Sequence, residues 1–261
     1  MPELTLSEIP EQIAAHLPSA SRLEYPTQGM TSDVAFATGR ERSVVVKRCA
    51  REIYVPWLRR EHTVLRSLAN LDLPIPRAIA YREVPADAGP EAWLVISRLR
   101  GTLLCSAISD GGASDRIRLL AALGELLKRL HATTPPPALT HASDWIARTL
   151  AEGRANLDWC DGTRELMLEL ERTRPRAVRE TLIHGDLALD NVLVDERGAL
   201  ALIDWSQGDS GDHRYDLAVA LRTSPPVTLT DADLRAFHDS YGAAPLTAET
   251  RLWFERLYEF F

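Results

Sequence analysis

The residues of this 261-residue chain with the clearest capacity for chemistry lie between Leu182 and Ser206. Leu182 and Ile183 lead into His184-Gly185-Asp186, and Asn191 follows five residues after Asp186. Val192, Leu193 and Val194 then run to a turn at Asp195–Gly198, and a second apolar run, Ala199 to Ile203, ends at Asp204-Trp205. Two carboxylates and one amide are thereby set at the ends of short strands, where loops meet solvent. Phosphoryl transfer asks for such a set: one carboxylate to accept or orient the proton of the attacking hydroxyl, and an Asn and an Asp to hold Mg²⁺.

The elements that must position this set are read outward from it. Val34–Ala37 and Ser43–Lys47 read as a β-hairpin, preceded by the small polar turn Gln28-Gly29-Met30-Thr31-Ser32-Asp33, whose backbone amides could face phosphates or simply close a turn. Lys47 ends the run Val44-Val45-Val46 and is either a snorkelling surface lysine or a phosphate ligand. The following helix, from Trp57 to Leu68, carries Glu61. A strand lysine paired with a helix glutamate fixes nucleotide phosphates in kinases, whereas Arg59 and Arg60 suit a solvated face. Residues 77–84 and 92–97 read as two further strands, giving about five in the N-terminal part. The last of them passes through Arg98-Leu99-Arg100 to Gly101, either an ordinary strand–loop junction or an interlobe linker that binds adenine through backbone groups.

Residues 3–20 are expected to form a short amphipathic helix from the spacing of Leu6, Ile9, Ile13 and Leu17, and residues 22–28 a strand. From residue 115 the pattern turns helical, with Ile117, Leu119, Leu120, Leu123, Leu126, Leu127 and Leu130 on one face up to His131, a packed or capping histidine. Residues 143–172 read as two helices separated by Asp158-Trp159-Cys160-Asp161-Gly162. A helix starts at Tyr215-Asp216, another spans Asp231 to Tyr241, and a final one spans Glu249 to Phe261. The outline is α+β: a small β-rich lobe over about 1–100 and a larger helical lobe over 101–261, with no internal repeat.

Bulk properties exclude several classes. A hydrophobic fraction of 45% with 26% charged residues suits a folded globular chain rather than a disordered one. The formal charge of −7 argues against a nucleic-acid surface and permits a cationic substrate. No apolar run is long enough to span a membrane, and the acidic start MPELTLSEIPEQ is not a signal peptide, so a cytoplasmic location is expected. Cys49, Cys105 and Cys160 show no CxxC spacing and read as reduced structural thiols; the histidines show no HExxH, against a zinc site.

With these motifs in order, HGDLALDN followed by the apolar hairpin and IDW resembles the catalytic segment of the aminoglycoside phosphotransferases and their kinase-like relatives. QGMTSDVAF resembles the family's nucleotide loop, VVVK with RREHTVLRSL its Lys–Glu pair, LPIPRAI the segment after that helix, and LVISRLRG its interlobe linker. The tail RLWFERLYEFF resembles the end of the aminoglycoside 3′-phosphotransferases. The resemblance implies a bilobal protein-kinase-like fold, with a nucleotide-binding lobe at 1–100 and a catalytic and substrate-binding lobe at 101–261. It implies Asp186 as catalytic base, Asn191 and Asp204 as Mg²⁺ ligands, and Lys47 on the ATP phosphates, steadied by Glu61. Gly29, Thr31 and Ser32 fall at the nucleotide loop, and Ser97 and Leu99 offer backbone groups to adenine. Arg222, Glu259 and Phe261, the last through its carboxylate, fall at substrate-contact positions. Glu259, Asp158, Asp161 and Asp231 fall where an acidic pocket would receive ammonium groups, with solvated surface the equal alternative for all but Glu259. His184 braces the loop, and Asp216 hydrogen-bonds its amides.

The expected enzyme is a cytoplasmic monomer that uses ATP (GTP being possible) with Mg²⁺ to phosphorylate a hydroxyl, the 3′ one, of a cationic aminoglycoside, giving resistance. Choline, homoserine, fructosamine and macrolide kinases resemble the chain in the same places, and a kinase of such a small molecule is the alternative. A nucleotide-binding protein without catalysis is a further one, opposed by the complete set of Lys47, Asp186, Asn191 and Asp204. Two departures narrow the expected acceptor range: Leu189 stands where the family often has an acid, and Thr-Ser-Pro-Pro-Val follows Arg222 where acidic ligands often occur.

Overall fold

Two units, each with its own hydrophobic core, make up the computed structural model, which describes residues 4–19, 21–26, 32–86, 89–222 and 227–261. The first unit is Met1–Arg100 with Leu202–Gln207; the second is Gly101–Ala201 with Gly208–Phe261.

In the first unit α1 (Glu11–Ala14) precedes β1 (Arg22–Glu24), β2 (Asp33–Thr38) and β3 (Ser43–Cys49); α2 (Val55–Ser67) then leads to β4 (Ala78–Val84) and β5 (Glu91–Ser97). The five strands pair antiparallel in the order β1-β2-β3-β5-β4. Side chains alternate across a strand, so Val44 and Val46 point to one face with Ala35, Ala37, Trp93 and Val95, where Ile9 and Ile13 complete a buried core. Val45 and Lys47 therefore point to the opposite face, toward α2. The single helix expected over residues 3–20 is instead a 3-10 turn at Leu6–Glu8 followed by the four-residue α1, because Pro10 between them has no N–H to continue a helical ladder. β1 stops at Glu24, short of the expected 22–28.

The second unit contains β6 (Thr102–Leu103), α3 (Leu104–Asp110), α4 (Ala113–Ala132), α5 (Trp145–Ala155), α6 (Arg164–Arg172), β7 (Thr181–Ile183), β8 (Val192–Val194), β9 (Leu200–Leu202), β10 (Asp209–Gly211), α7 (His213–Ala220), α8 (Asp231–Tyr241) and α9 (Ala248–Tyr258). β9 ends on Leu202, the first residue of the short segment that belongs to the first unit. Helix starts are set by local caps: Asp144, Thr163, Asp212, Thr230 and Thr247 each accept a backbone N–H from the first turn of the helix they precede. The leucines of α4 form its buried face, and Gly124 lets α8 approach so closely that a Cβ there would sit 2.4 Å from the Phe237 carbonyl oxygen. A second core gathers Trp145, Ile146, Ile183, Tyr215, Trp253, Phe254, Leu257 and Phe260. It anchors β7 and α9, which carry the residues of interest in this unit.

Leu202–Gln207 departs from the division expected at residue 100. It joins the first unit because Leu202 N donates to Pro74 O (2.9 Å), the Trp205 amide donates to Glu61, and Asp204 meets Lys47.

Candidate active site

The first unit assembles a charged triad. β3 presents Lys47 and α2 presents Glu61, with Leu58 and Leu65 on the same buried helix face. Lys47 Nζ donates to both Glu61 oxygens at 2.8 Å and to Asp204 Oδ1 at 3.3 Å. The Glu61 side chain is 1% exposed and that of Lys47 10%, so this is a buried pair, whereas Asp204 is 43% exposed. The solvated-face alternative for Glu61 and the snorkelling alternative for Lys47 are both overturned. Burial opposes the lysine charge, but Asp204 and Glu61 outweigh it and hold the ammonium protonated well above its usual range. Burial pushes the Glu61 carboxyl up against the pull of Lys47. Asp204 has φ +62°, the one non-glycine in the left-handed region among the described residues. Such backbone conformations persist where the surroundings over-determine them, and they cluster at active sites.

Among the other nucleotide candidates, Gly29 and Thr31 lie outside the described residues, and Ser32 hydrogen-bonds the buried Cys49 thiol, which burial pushes up to about 11. Ser97 is engaged inside the sheet: its amide donates to Arg77 O (2.9 Å) and its Oγ accepts from Arg77 N (2.8 Å). Of the Ser97 backbone groups expected for adenine, the N–H is therefore already bonded within the sheet. Leu99, two residues on, is half-buried outside the strand.

The second unit assembles Asp186 and Asn191. β7 delivers the chain to His184, buried completely, and Gly185 takes φ +80°, which only glycine adopts without strain. The turn is pinned by Asp216 at the start of α7. Its Oδ2 accepts from His184 N (2.8 Å) and its Oδ1 from Gly185 N (2.9 Å). Burial raises the Asp216 carboxyl, but hydrogen bonding and charge from His131 (3.1 Å) outweigh it and bring it below the usual range. His131 is in turn bonded to Tyr241 at 3.0 Å, and His184 Nδ1 accepts from Asp186 N at 3.3 Å. Asn191 closes the turn: its Nδ2 donates to Asp186 O (2.8 Å) and Asp186 Oδ2 (2.9 Å). Asp186 Oδ1 accepts the hydroxyl of Tyr258 at 2.6 Å.

Asn191 in the second unit and Asp204 in the first are each an oxygen donor of the kind a divalent cation takes. With its nitrogen on Asp186, the Asn191 amide offers its oxygen, and Asp204 offers a solvent-reaching carboxylate. Mg²⁺ is held by one or two such oxygens together with substrate phosphates rather than by an all-protein cage.

The acceptor candidates divide. Arg222 and Glu259 come together at 2.5 Å, and the Arg222 guanidinium lies 5.4 Å over the Tyr258 ring. Phe261 packs its half-buried side chain on the second core. Asp158 and Asp161 are exposed on the turn between α5 and α6, whose Gly162 N donates to Glu259 O (2.9 Å); Asp231 is exposed at the start of α8. Leu189 is buried in the turn before Asn191. Tyr258 and the Arg222–Glu259 pairing are absent from the sequence reading. The one signal for Tyr258 was a hydroxyl-bearing aromatic beside Glu259.

A profile of the phosphotransferase enzyme family (APH) matches residues 23–253. An aminoglycoside 3′-phosphotransferase of Streptomyces fradiae is 29% identical over 205 residues, covering 72% of this chain and 74% of the relative. A homoserine kinase of Methylobacillus flagellatus is 34% identical over 140 residues, covering 49% of this chain and 44% of its own length. An APH(2″) enzyme solved as its GDP and kanamycin complex superposes with a TM-score of 0.65 at 18% identity, covering 94% of this chain and 86% of the other. The chain thus has the kinase-like α+β fold and belongs to the aminoglycoside-phosphotransferase family, as an enzyme that transfers phosphate to hydroxyl acceptors.

Proposed function

We propose that this enzyme transfers the γ-phosphoryl group of ATP, or of GTP, to the 3′-hydroxyl of an aminoglycoside, with Mg²⁺ as cofactor, and so gives resistance to the drug. The observation that carries the reading is the fixing of Asp186. Its backbone turn is tied to the buried Asp216 and one carboxylate oxygen is held by Asn191, which aims the other at a hydroxyl donor. A general base acts within about 2.6–3.2 Å of the proton it takes.

In the proposed step Asp186 orients the acceptor hydroxyl and receives its proton. The alcohol oxygen bonds to the γ-phosphorus as the bond to the ADP oxygen breaks. Lys47, held by Glu61, binds the α- and β-phosphates. Asn191 and Asp204 would hold the Mg²⁺, which when bound would supply positive charge against the phosphates. The unit Met1–Arg100 with Leu202–Gln207 serves the nucleotide, and the remainder serves catalysis and the acceptor. Catalysis then comes mainly from positioning and electrostatics.

The test is Mg²⁺-dependent ADP release with kanamycin, a macrolide, homoserine and choline as acceptors, followed by NMR of the phosphorylated product. Asp186→Ala should abolish turnover with nucleotide binding retained; turnover surviving in that variant would remove Asp186 as the base. A homoserine-type acceptor is the second reading, favoured by the match to the homoserine kinase and by the neutralisation of Glu259 by Arg222.

A further inference from the structure

Tyr258 presents a phenolic hydroxyl to Asp186 at 2.6 Å, inside the range at which a general base meets the proton it removes. One residue further along, Glu259, the carboxylate expected to receive an ammonium group of the acceptor, is paired with the Arg222 guanidinium at 2.5 Å. That guanidinium also lies over the Tyr258 ring at 5.4 Å, so the two side chains form one contiguous group. An aminoglycoside brings a hydroxyl and a cation. This chain places a hydroxyl of its own on Asp186 and a cation of its own on Glu259.

We propose that Tyr258 and Arg222 are an internal mimic of the acceptor, occupying its hydroxyl and ammonium positions, and that they determine specificity by admitting only an alcohol that displaces them. The proposal rests on the aminoglycoside reading above and names the residues that restrict it.

Two features favour displacement by side chains over backbone movement, and a third keeps the phenol a donor. The backbone at the end of α9 is fixed, since Asn156 Nδ2 donates to Phe260 O (2.9 Å), Gly162 N donates to Glu259 O (2.9 Å), and Phe260 is fully buried. The Phe260 ring fits against Gly162, where a Cβ would come within 2.4 Å of it. The Arg222 and Glu259 side chains, by contrast, are 36% and 33% exposed, so their pairing is open to exchange with a dissolved cation. The Tyr258 phenol is kept protonated, since burial first and the Asp186 charge second push it far above its usual range. It therefore remains a donor like the alcohol it stands for.

The test compares wild type with Tyr258→Phe, Arg222→Gln and the double variant, using kanamycin as the probe. Calorimetry gives its Kd, ADP release gives its KM, and circular dichroism checks that each variant is folded. Removing a competing hydrogen bond to a charged group should tighten kanamycin binding by about tenfold in Tyr258→Phe, and the double variant should bind more tightly than either single one. In wild type labelled with ¹³Cζ-tyrosine, the Tyr258 resonance, assigned by its loss in Tyr258→Phe, should move toward that of an unbonded phenol as kanamycin is added. Unchanged or weaker binding in Tyr258→Phe, a stationary Tyr258 resonance while kanamycin binds, or no kanamycin binding by any of the four proteins overturns the proposal. If binding tightens in the variants and neither they nor wild type release ADP with kanamycin, the proposal stands and the aminoglycoside phosphorylation reading falls. If wild type turns kanamycin over and the variants keep its Kd and KM, the reading stands and the proposal falls.

Discussion

Replacing Glu61 by Ala removes the partner that holds Lys47 through two contacts of 2.8 Å, in a site where the glutamate is 1% and the lysine 10% exposed. At an effective dielectric of about 20, a unit pair at that separation interacts by roughly 6 kcal/mol before desolvation is counted. Losing one member of a buried pair typically costs about 3–5 kcal/mol, because the other is left buried and unpaired. Here Asp204 remains at 3.3 Å from Lys47 but is 43% exposed and screened, so the lower end, about 3 kcal/mol, is expected. Urea unfolding followed by tryptophan fluorescence measures the loss, and if the two units melt separately it should appear in the transition of the β-rich one. The loss should persist between about 0.1 and 0.5 M salt, since buried pairs are little screened. Lys47→Met with Glu61→Leu should recover most of the stability, because apolar replacement of a buried pair is often neutral, while failing to bind nucleotide. A loss under about 1 kcal/mol, or a double variant less stable than Glu61→Ala, would refute the argument that burial makes this pair interdependent.

Gly124→Ala should destabilise by about 1–3 kcal/mol in the same assay, because its Cβ would meet the Phe237 carbonyl of α8 at 2.4 Å. Gly112→Ala, where nothing lies within 4 Å but which caps α4, is the steric control and should cost less, under about 1 kcal/mol. Asp233 is held below the usual carboxylate range because Arg116 (2.6 Å) and Thr230 outweigh its burial, so its contribution is full above an unfolded pKa of about 3.9 and disappears as pH falls through the lower folded value. Asp233→Asn should therefore cost stability at pH 7 and progressively less below about pH 3.9; a gap that widens on acidification would contradict the sign.

The legible part of the site was the part encoded locally. Asp186 and Asn191 sit five residues apart in one turn, closed by a side chain reaching back to its own loop, and such spacing is visible in a single line of sequence. The N-terminal hairpin and the long face of α4 were visible for the same reason, as periods of two and of 3.6. Glu61 was ambiguous because Arg59 and Arg60 beside it look like surface; what decides it is helix phase, since Leu58 and Leu65 share its face. The pairing of the Ser97 amide with Arg77 was not legible, because Arg77 precedes a strand whose register shifts between Ala78 and Ala80, an irregularity without a sequence signature. Tyr258 was missed because its partner is 72 positions away, and long-range pairing leaves no periodicity to read.

These long-range pairs share a physical cause. Charged groups withdrawn from water without a partner are costly, in either unit. Each of the principal charges here has an internal partner: Lys47 has Glu61 and Asp204, Asp186 has Asn191 and Tyr258, and Glu259 has Arg222. The Lys47–Glu61 bond is the most buried of these, and the proposed mechanism keeps it, since it aims the lysine. The other pairs include a group a third or more exposed, as at Asp204 and Arg222, or a neutral hydroxyl, as at Tyr258. Those partners can be exchanged for ligand groups of the same sign at small net cost. Affinity then depends on the difference between a ligand's contacts and the internal contacts it replaces, and an acceptor supplying a hydroxyl without a cation could displace only Tyr258.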